Sequence, residues 1–379
     1  MRTVRILLLA LLGVLLAAPP AESGDRLVAR GFYGATWDRS ARHAPEPVQE
    51  AQWALMARSG VESVRTVFSW TEAQPSADAP LSFTATDAAV ARAARHGMRL
   101  LALVHGAPRW ARLDPDTHGS APRRSSDYAA YVGALVRRYG SSGSFWAEHP
   151  ELPRRPVREW QLWNEPHLGI EWHAPPGSQA AWPRGYVRLL RESAGAVRSG
   201  DRRAKVVLGG LTNDSWNKLR QLYRLGARRL FDVVTMQTYT SSPGNIVLAL
   251  GKVRAVMRRY RDGRKPLWAT EVGWPAARGR TPVEAYARPW VTTDRVMARR
   301  LGEVYAMVAR HRRDPRYRVG RVYWYSWATG YRPGDVFDFS GLLRFDGQRF
   351  TPRPALRYFR ASARRHEGCA KTSRGTCRR

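Results

Sequence analysis

Cysteine is almost absent from this chain: two of 379 residues, Cys369 and Cys377, both in the closing stretch EGCAKTSRGTC. Two thiols are too few for a disulfide framework or a four-ligand structural zinc site, and the nine histidines contain no HExxH pair. No GxGxxG or GxxxxGK[ST] loop opens a helical stretch, so nucleotide phosphate binding has no support either. No metal and no cofactor is expected. Long hydrophobic runs are equally scarce. One extends from Ile6 to Ala18, after Arg2 and Arg5 and before prolines and small residues. It is too short to cross a bilayer comfortably and reads as a secretory signal over residues 1–24, with an uncleaved anchor as the alternative. The mature protein is expected outside the cell with no membrane span, and its two cysteines, in that setting, as a local Cys369–Cys377 disulfide.

Lysine and acidic residues are also in short supply, with five lysines against 58 arginines, 31 carboxylates in all, and a net charge of +32. The arginines are spread along the whole chain, as a GC-rich coding bias would spread them. No zinc-finger spacing or aromatic RNP motif accompanies the charge, which argues against nucleic acid. An acidic glycan or an anionic cell wall is the better partner for such a field.

What the sequence has is enough apolar material for one large core, 44% hydrophobic, and fifteen each of Trp and Tyr. Eight strand-like runs alternate with seven amphipathic segments. The runs cover 31–37, 61–70, 98–106, 157–165, 204–212, 231–239, 266–274 and 321–329. This alternation predicts an α/β fold, a (β/α)₈ TIM barrel forming a single catalytic domain over residues 25–360, followed by a basic tail over 361–379. An open doubly wound sheet is the alternative. Gly60, Gly97 and Gly140 are placed as helix C-terminal caps, and Thr86, Ser126 and Thr293 as N-caps. The chain is read as a monomer. The longest loops follow strands three, four and seven, all at the C-terminal face where barrels build their sites.

Two carboxylates stand at those strand ends: Glu165 in WQLWNEPHL and Glu271 in WATEVGW. Glycoside cleavage needs such a pair, one acid to protonate the leaving oxygen and one carboxylate to attack the anomeric carbon, roughly 5–5.5 Å apart in a retaining enzyme. Pro166 is expected to end strand four and expose Glu165. Asn164 can donate to a sugar hydroxyl, while Arg65 and the Tyr239 phenol are the groups expected to keep Glu271 ionised. Glu165, in a more apolar place beside Trp163, is expected to stay protonated.

The blocks VRTVFSWTEAQP, YAAYVGALVRRYG, QLWNEPH and ATEVGW, in this order, resemble retaining glycoside hydrolases of the clan with its acid/base on strand four and nucleophile on strand seven. They are most similar to glycoside hydrolase family 39, the β-xylosidase, iduronidase and bacterial exopolysaccharide-hydrolase group, over about Gly31 to Trp327. The resemblance implies Glu165 as acid/base and Glu271 as nucleophile, with Asn164, Arg65 and Tyr239 in support. It departs at Gln237, where the family often has His, and at His167. His105 is either a sugar contact or a packed barrel histidine. Trp327 is the first candidate for a sugar-stacking platform, with Trp37, Trp110, Trp172 and Trp274 behind it. A non-catalytic glycan-binding barrel is the rival reading.

Overall fold

The computed structural model describes residues 26–212 and 214–367. The expected signal and the Cys369–Cys377 pair lie outside the described residues. Eight parallel strands form one sheet: β1 (Tyr33–Trp37), β2 (Ser63–Ser69), β3 (Arg99–His105), β4 (Glu159–Leu162), β5 (Lys205–Val207), β6 (Val234–Thr238), β7 (Leu267–Val272) and β8 (Val319–Trp324). Their order is β5-β4-β3-β2-β1-β8-β7-β6, and a parallel bridge between Val207 and Val233 joins the two ends. The sheet is thereby a nearly closed (β/α)₈ barrel, as the alternating pattern predicts.

The outer layer holds α1 (Glu46–Arg58), α2 (Trp70–Ala73), α3 (Thr84–Arg95), α4 (Ser125–Tyr139), α5 (Phe145–Glu148), α6 (Arg184–Gly200), α7 (Ser215–Arg224), α8 (Pro243–Arg259) and α9 (Asp294–Arg310). Gly60 and Gly97 stand just past α1 and α3 with φ of +94° and +67°, the left-handed geometry that glycine supplies without a Cβ clash. Gly140 ends α4 in an extended conformation instead. Of the three expected N-caps only Thr293 holds that place. Thr86 and Ser126 fall inside the first turns of α3 and α4, and the Thr86 hydroxyl bonds the Phe83 carbonyl and meets the Tyr139 hydroxyl.

Past the barrel, β9 (Ala328–Thr329), β10 (Leu343–Phe345) and β11 (Phe350–Pro352) make a small three-stranded sheet that the sequence pattern did not show. The last helix, α10 (Pro354–Glu367), runs past the expected domain end at residue 360. Leu27 N–H donates to the His366 carbonyl, and the Tyr33 hydroxyl lies 2.5 Å from His366 Nδ1, so residues 361–367 belong to the barrel and not to a tail.

Strand alternation decides what fills the barrel. Buried Ser63 and Arg65 on β2, Glu159 and Gln161 on β4, Thr235 and Gln237 on β6, and Arg321 and Tyr323 on β8 share one face. Low in the barrel, Arg321 pairs with Glu159 at 2.7 Å and stacks over Trp268. A small apolar cluster of Leu101, Val207, Val233, Trp268 and Tyr323 fills the interior. The outward residues join the main core against the helices. Polar and charged side chains at alternate strand positions therefore line a buried interior together with that apolar cluster.

Candidate active site

Strand β4 ends at Leu162, three residues before Glu165. Pro166 is therefore not what stops the strand. The chain turns away through two non-glycine residues in the left-handed region, Trp163 at φ +69° and Glu165 at φ +40°. Such conformations cost about 1–3 kcal/mol each and persist where surroundings over-determine them. Here the Trp163 N–H donates to the Val104 carbonyl at 3.0 Å, its indole N–H to the Glu171 carbonyl at 2.8 Å, and Asn164 bridges to Gly210. The ring itself is buried. This zigzag brings Asn164 and Glu165 to the C-terminal mouth of the barrel.

Glu271, on β7, is buried and hydrogen-bonded on both oxygens. Arg65 Nη1 donates to Oε1 at 2.8 Å, Gln237 Nε2 to the same oxygen at 2.9 Å, and the Tyr239 hydroxyl to Oε2 at 2.5 Å. Arg65 spreads its other nitrogens over Gln161 Oε1 (2.7 Å) and Asn164 Oδ1 (2.9 Å), and Gln237 Nε2 also reaches Asn164 Oδ1 at 2.9 Å. The planar guanidinium thus spreads over three separate acceptors at once, a fixed geometry that a compact ammonium does not supply. With Oδ1 accepting twice, Asn164 keeps its amide N–H groups for the mouth. Gln237, the departure from the family pattern, occupies the centre of this network. It has room because residue 210 is glycine: a Cβ there would stand 2.3 Å from the Gln237 side-chain amide.

The two carboxyls sit in different environments. Burial pushes Glu165 well above the usual carboxylate range, and the charges of Glu271 and Glu171 add to the rise, with Arg65 opposing. Among the described residues its carboxyl accepts no hydrogen bond. Burial also lifts Glu271, but the Arg65 charge and the Tyr239 hydrogen bond work against that. The first proton to leave the pair therefore comes from Glu271, and Glu165 remains the acid. Tyr239 is itself pushed well above a normal phenol, by burial first and then by Glu271, so it stays an O–H donor.

Glu171, on the loop after β4, escaped the sequence reading. Its carboxylate lies 3.0 Å from His105 Nε2, and His105 packs edge-on against Trp163 at 4.9 Å. No motif marks Glu171; only folding brings it beside Glu165. His105 is thus tied to the Glu165 loop. His167 has its pKa lowered to about 4 by burial and by Lys218, so it is neutral, and neither ring nitrogen has a partner among the described residues.

The tryptophan expectations need correction. Trp327 is 0% exposed and donates to Gln52; Trp274 is 0% exposed and donates to the Thr240 carbonyl; Trp37 is buried against Trp53. Buried rings cannot stack on a ligand, and these three belong to the main core. Trp110 is half-buried, packed on Trp70 with its N–H on the Gln74 carbonyl, and Trp172 is buried on Trp163. The rings packed around the Tyr239 phenol are Trp290, itself part of the buried core, and Phe337, at 5.2 and 4.9 Å, with Tyr286 exposed beyond Trp290.

No family model and no curated relative matches the sequence. Solved structures do match in three dimensions. A family 39 glycoside hydrolase from Bacteroides cellulosilyticus WH2 superposes with a TM-score of 0.65 at 18% identity, over 87% of this chain and 63% of its own length. A monomeric β-xylosidase from Caulobacter crescentus CB15 gives 0.63 at 16%, over 90% and 69%. A family 5 enzyme from Streptomyces cattleya, solved with Manβ1-4GlcNAc, gives 0.63 at 17%, over 88% and 80%. At these identities the likeness establishes a shared (β/α)₈ barrel fold. The chain spans less than two thirds of the Bacteroides enzyme.

Proposed function

We propose that this protein is a retaining β-glycosidase acting on an oligo- or polysaccharide outside the cell. The observation that carries the reading is the asymmetry of the two mouth carboxyls: Glu271 is triply hydrogen-bonded and charge-compensated, while Glu165 accepts no hydrogen bond among the described residues and burial favours its protonated form. This is the division of labour that double displacement requires. In the first step Glu165 gives its proton to the glycosidic oxygen while a Glu271 oxygen attacks the anomeric carbon from the opposite face. The C–O bond to the leaving group breaks and a glycosyl ester forms.

Esterification removes the Glu271 charge, and with it one cause of the high Glu165 pKa. Glu165, now deprotonated, becomes a better-poised base. It takes a proton from water, whose oxygen attacks the same carbon; the ester breaks, and both carboxyls return to their starting states. Asn164 is positioned to donate to the 2-hydroxyl, a bond that strengthens as the ring flattens.

Proton NMR of a reaction mixture tests this reading directly: a β-glycoside must yield the β-anomer first. First appearance of the α-anomer would assign the site to inversion. Replacing Glu165 by Ala should slow substrates with poor leaving groups by roughly 10²- to 10⁴-fold and activated aryl glycosides far less.

A further inference from the structure

The other end of the barrel carries a second concentration of chemistry. Parallel strands put all their N-termini on one face, opposite the carboxylates. At that face stand Arg30 before β1, Arg99 at the start of β3, Arg154, Arg155 and Arg158 before β4, Arg264 before β7, and Arg312, Arg313 and Arg318 before β8. They line two concavities that share Arg30. One, about 530 Å³, has six arginines around a floor that includes Leu27, Val28, Pro266 and Val319. The other, about 310 Å³, has Arg30, Arg99, Arg154, Arg155 and Arg158 with Glu159 as its only carboxylate.

Elsewhere on the surface Arg92 and Arg95 of α3 and Arg138 of α4 sit beside carboxylates, as in Arg95–Glu50 and Arg138–Asp87. On this face Glu159 is already held by Arg321 at 2.7 Å, with Arg99 at 4.0 Å, and Glu62 by Arg26 at 2.8 Å. Arg30, Arg154, Arg155, Arg264, Arg313 and Arg318 are exposed and make no ion pair among the described residues. Their mutual repulsion is felt within the face, since Arg30 and Arg99, after burial, depress the Arg155 pKa. Such crowding costs stability and relaxes when an anion arrives.

We propose that this closed face is a second carbohydrate site, which docks a uronate-bearing polysaccharide and is independent of the catalytic mouth. Guanidinium forks match planar carboxylates in bidentate fashion. The apolar floor of the larger concavity, with Leu27 43% exposed, suits the C–H face of a sugar ring, which polyphosphate lacks. Neither concavity is lined by an exposed aromatic ring, the platform on which nucleic-acid bases stack. The proposal stands whether or not Glu165 and Glu271 are catalytic.

The test measures binding of the full chain to immobilised polygalacturonate, with linear polyphosphate and single-stranded DNA as competitors, at about 0.05 M and about 0.5 M salt. The triple variant R30Q/R155Q/R313Q should weaken binding at low salt by roughly tenfold. R191Q/R299Q/R357Q, which removes the same charge from the outer helices, should leave it within about twofold. Thermal melting confirms that both variants fold, and turnover of a small neutral aryl glycoside, where present, should be unchanged in both. Equal losses in the two variants would make the attraction one of net charge alone and overturn the assignment. So would polyphosphate or DNA competing more strongly than free polygalacturonate, or no binding to polygalacturonate at all.

Discussion

Arg65 holds Glu271 at 2.8 Å from inside the barrel, and among the described residues no cation pairs with Glu165 in the same way. That single difference gives the site its polarity. Arg65 is 2% exposed and uses Nε, Nη1 and Nη2 on three separate acceptors, so its removal would leave a buried carboxylate uncompensated.

Arg65→Met is therefore expected to lower folding stability by about 3–5 kcal/mol, the usual cost of stranding one partner of a buried ion pair. Combining it with Glu271→Gln should recover part of that loss, because the amide carries no charge to strand. Chemical denaturation of the wild type, both single variants and the double variant measures the coupling. Strict additivity would mean that the pair is not a unit.

Glu171 adds its negative charge to the forces that keep Glu165 protonated. Neutralising it as Glu171→Gln lowers the Glu165 pKa, so Glu165 loses its proton at a lower pH. The alkaline limb of the kcat/KM profile should move to lower pH, while the acid limb, governed by Glu271, stays in place. A limb that does not move, or moves upward, contradicts the assignment of Glu165 as the acid.

Stability should carry the same signature. In the fold Glu165 binds its proton more tightly than in the unfolded chain, where the ordinary value is 4.5. It thus favours the fold at low pH, and that contribution is lost as pH rises through the folded-state pKa. Glu165→Gln, neutral at every pH, should melt higher than the wild type at alkaline pH and nearly equal to it below pH 4.5. Scanning calorimetry across that range decides it.

Much of this architecture is readable from the chain. Strand and helix periods differ, so eight extended runs separated by amphipathic helices announce a barrel, and the carboxylates stand out because they close two aromatic-rich runs. Strand lengths are less legible: β4 has four residues where nine were expected, since Trp163 and Glu165 leave the sheet in conformations that no local propensity favours. The tryptophans misled for a related reason. Position at a strand end does not say which way a ring turns, and Trp327 turns toward Gln52. Glu171 and Trp290 lie on loops whose path is set by tertiary contacts, with nothing in their neighbours to flag them.

The most direct measurement is covalent. A 2-deoxy-2-fluoro glycosyl fluoride of the sugar the enzyme accepts should stall the second step, because the fluorine destabilises the transition state for breaking the ester. Mass spectrometry of the inactivated protein should find one glycosyl residue attached, and peptide mapping should place it on Glu271. Attachment to another residue, or unimpaired turnover by Glu271→Gln, would contradict the account.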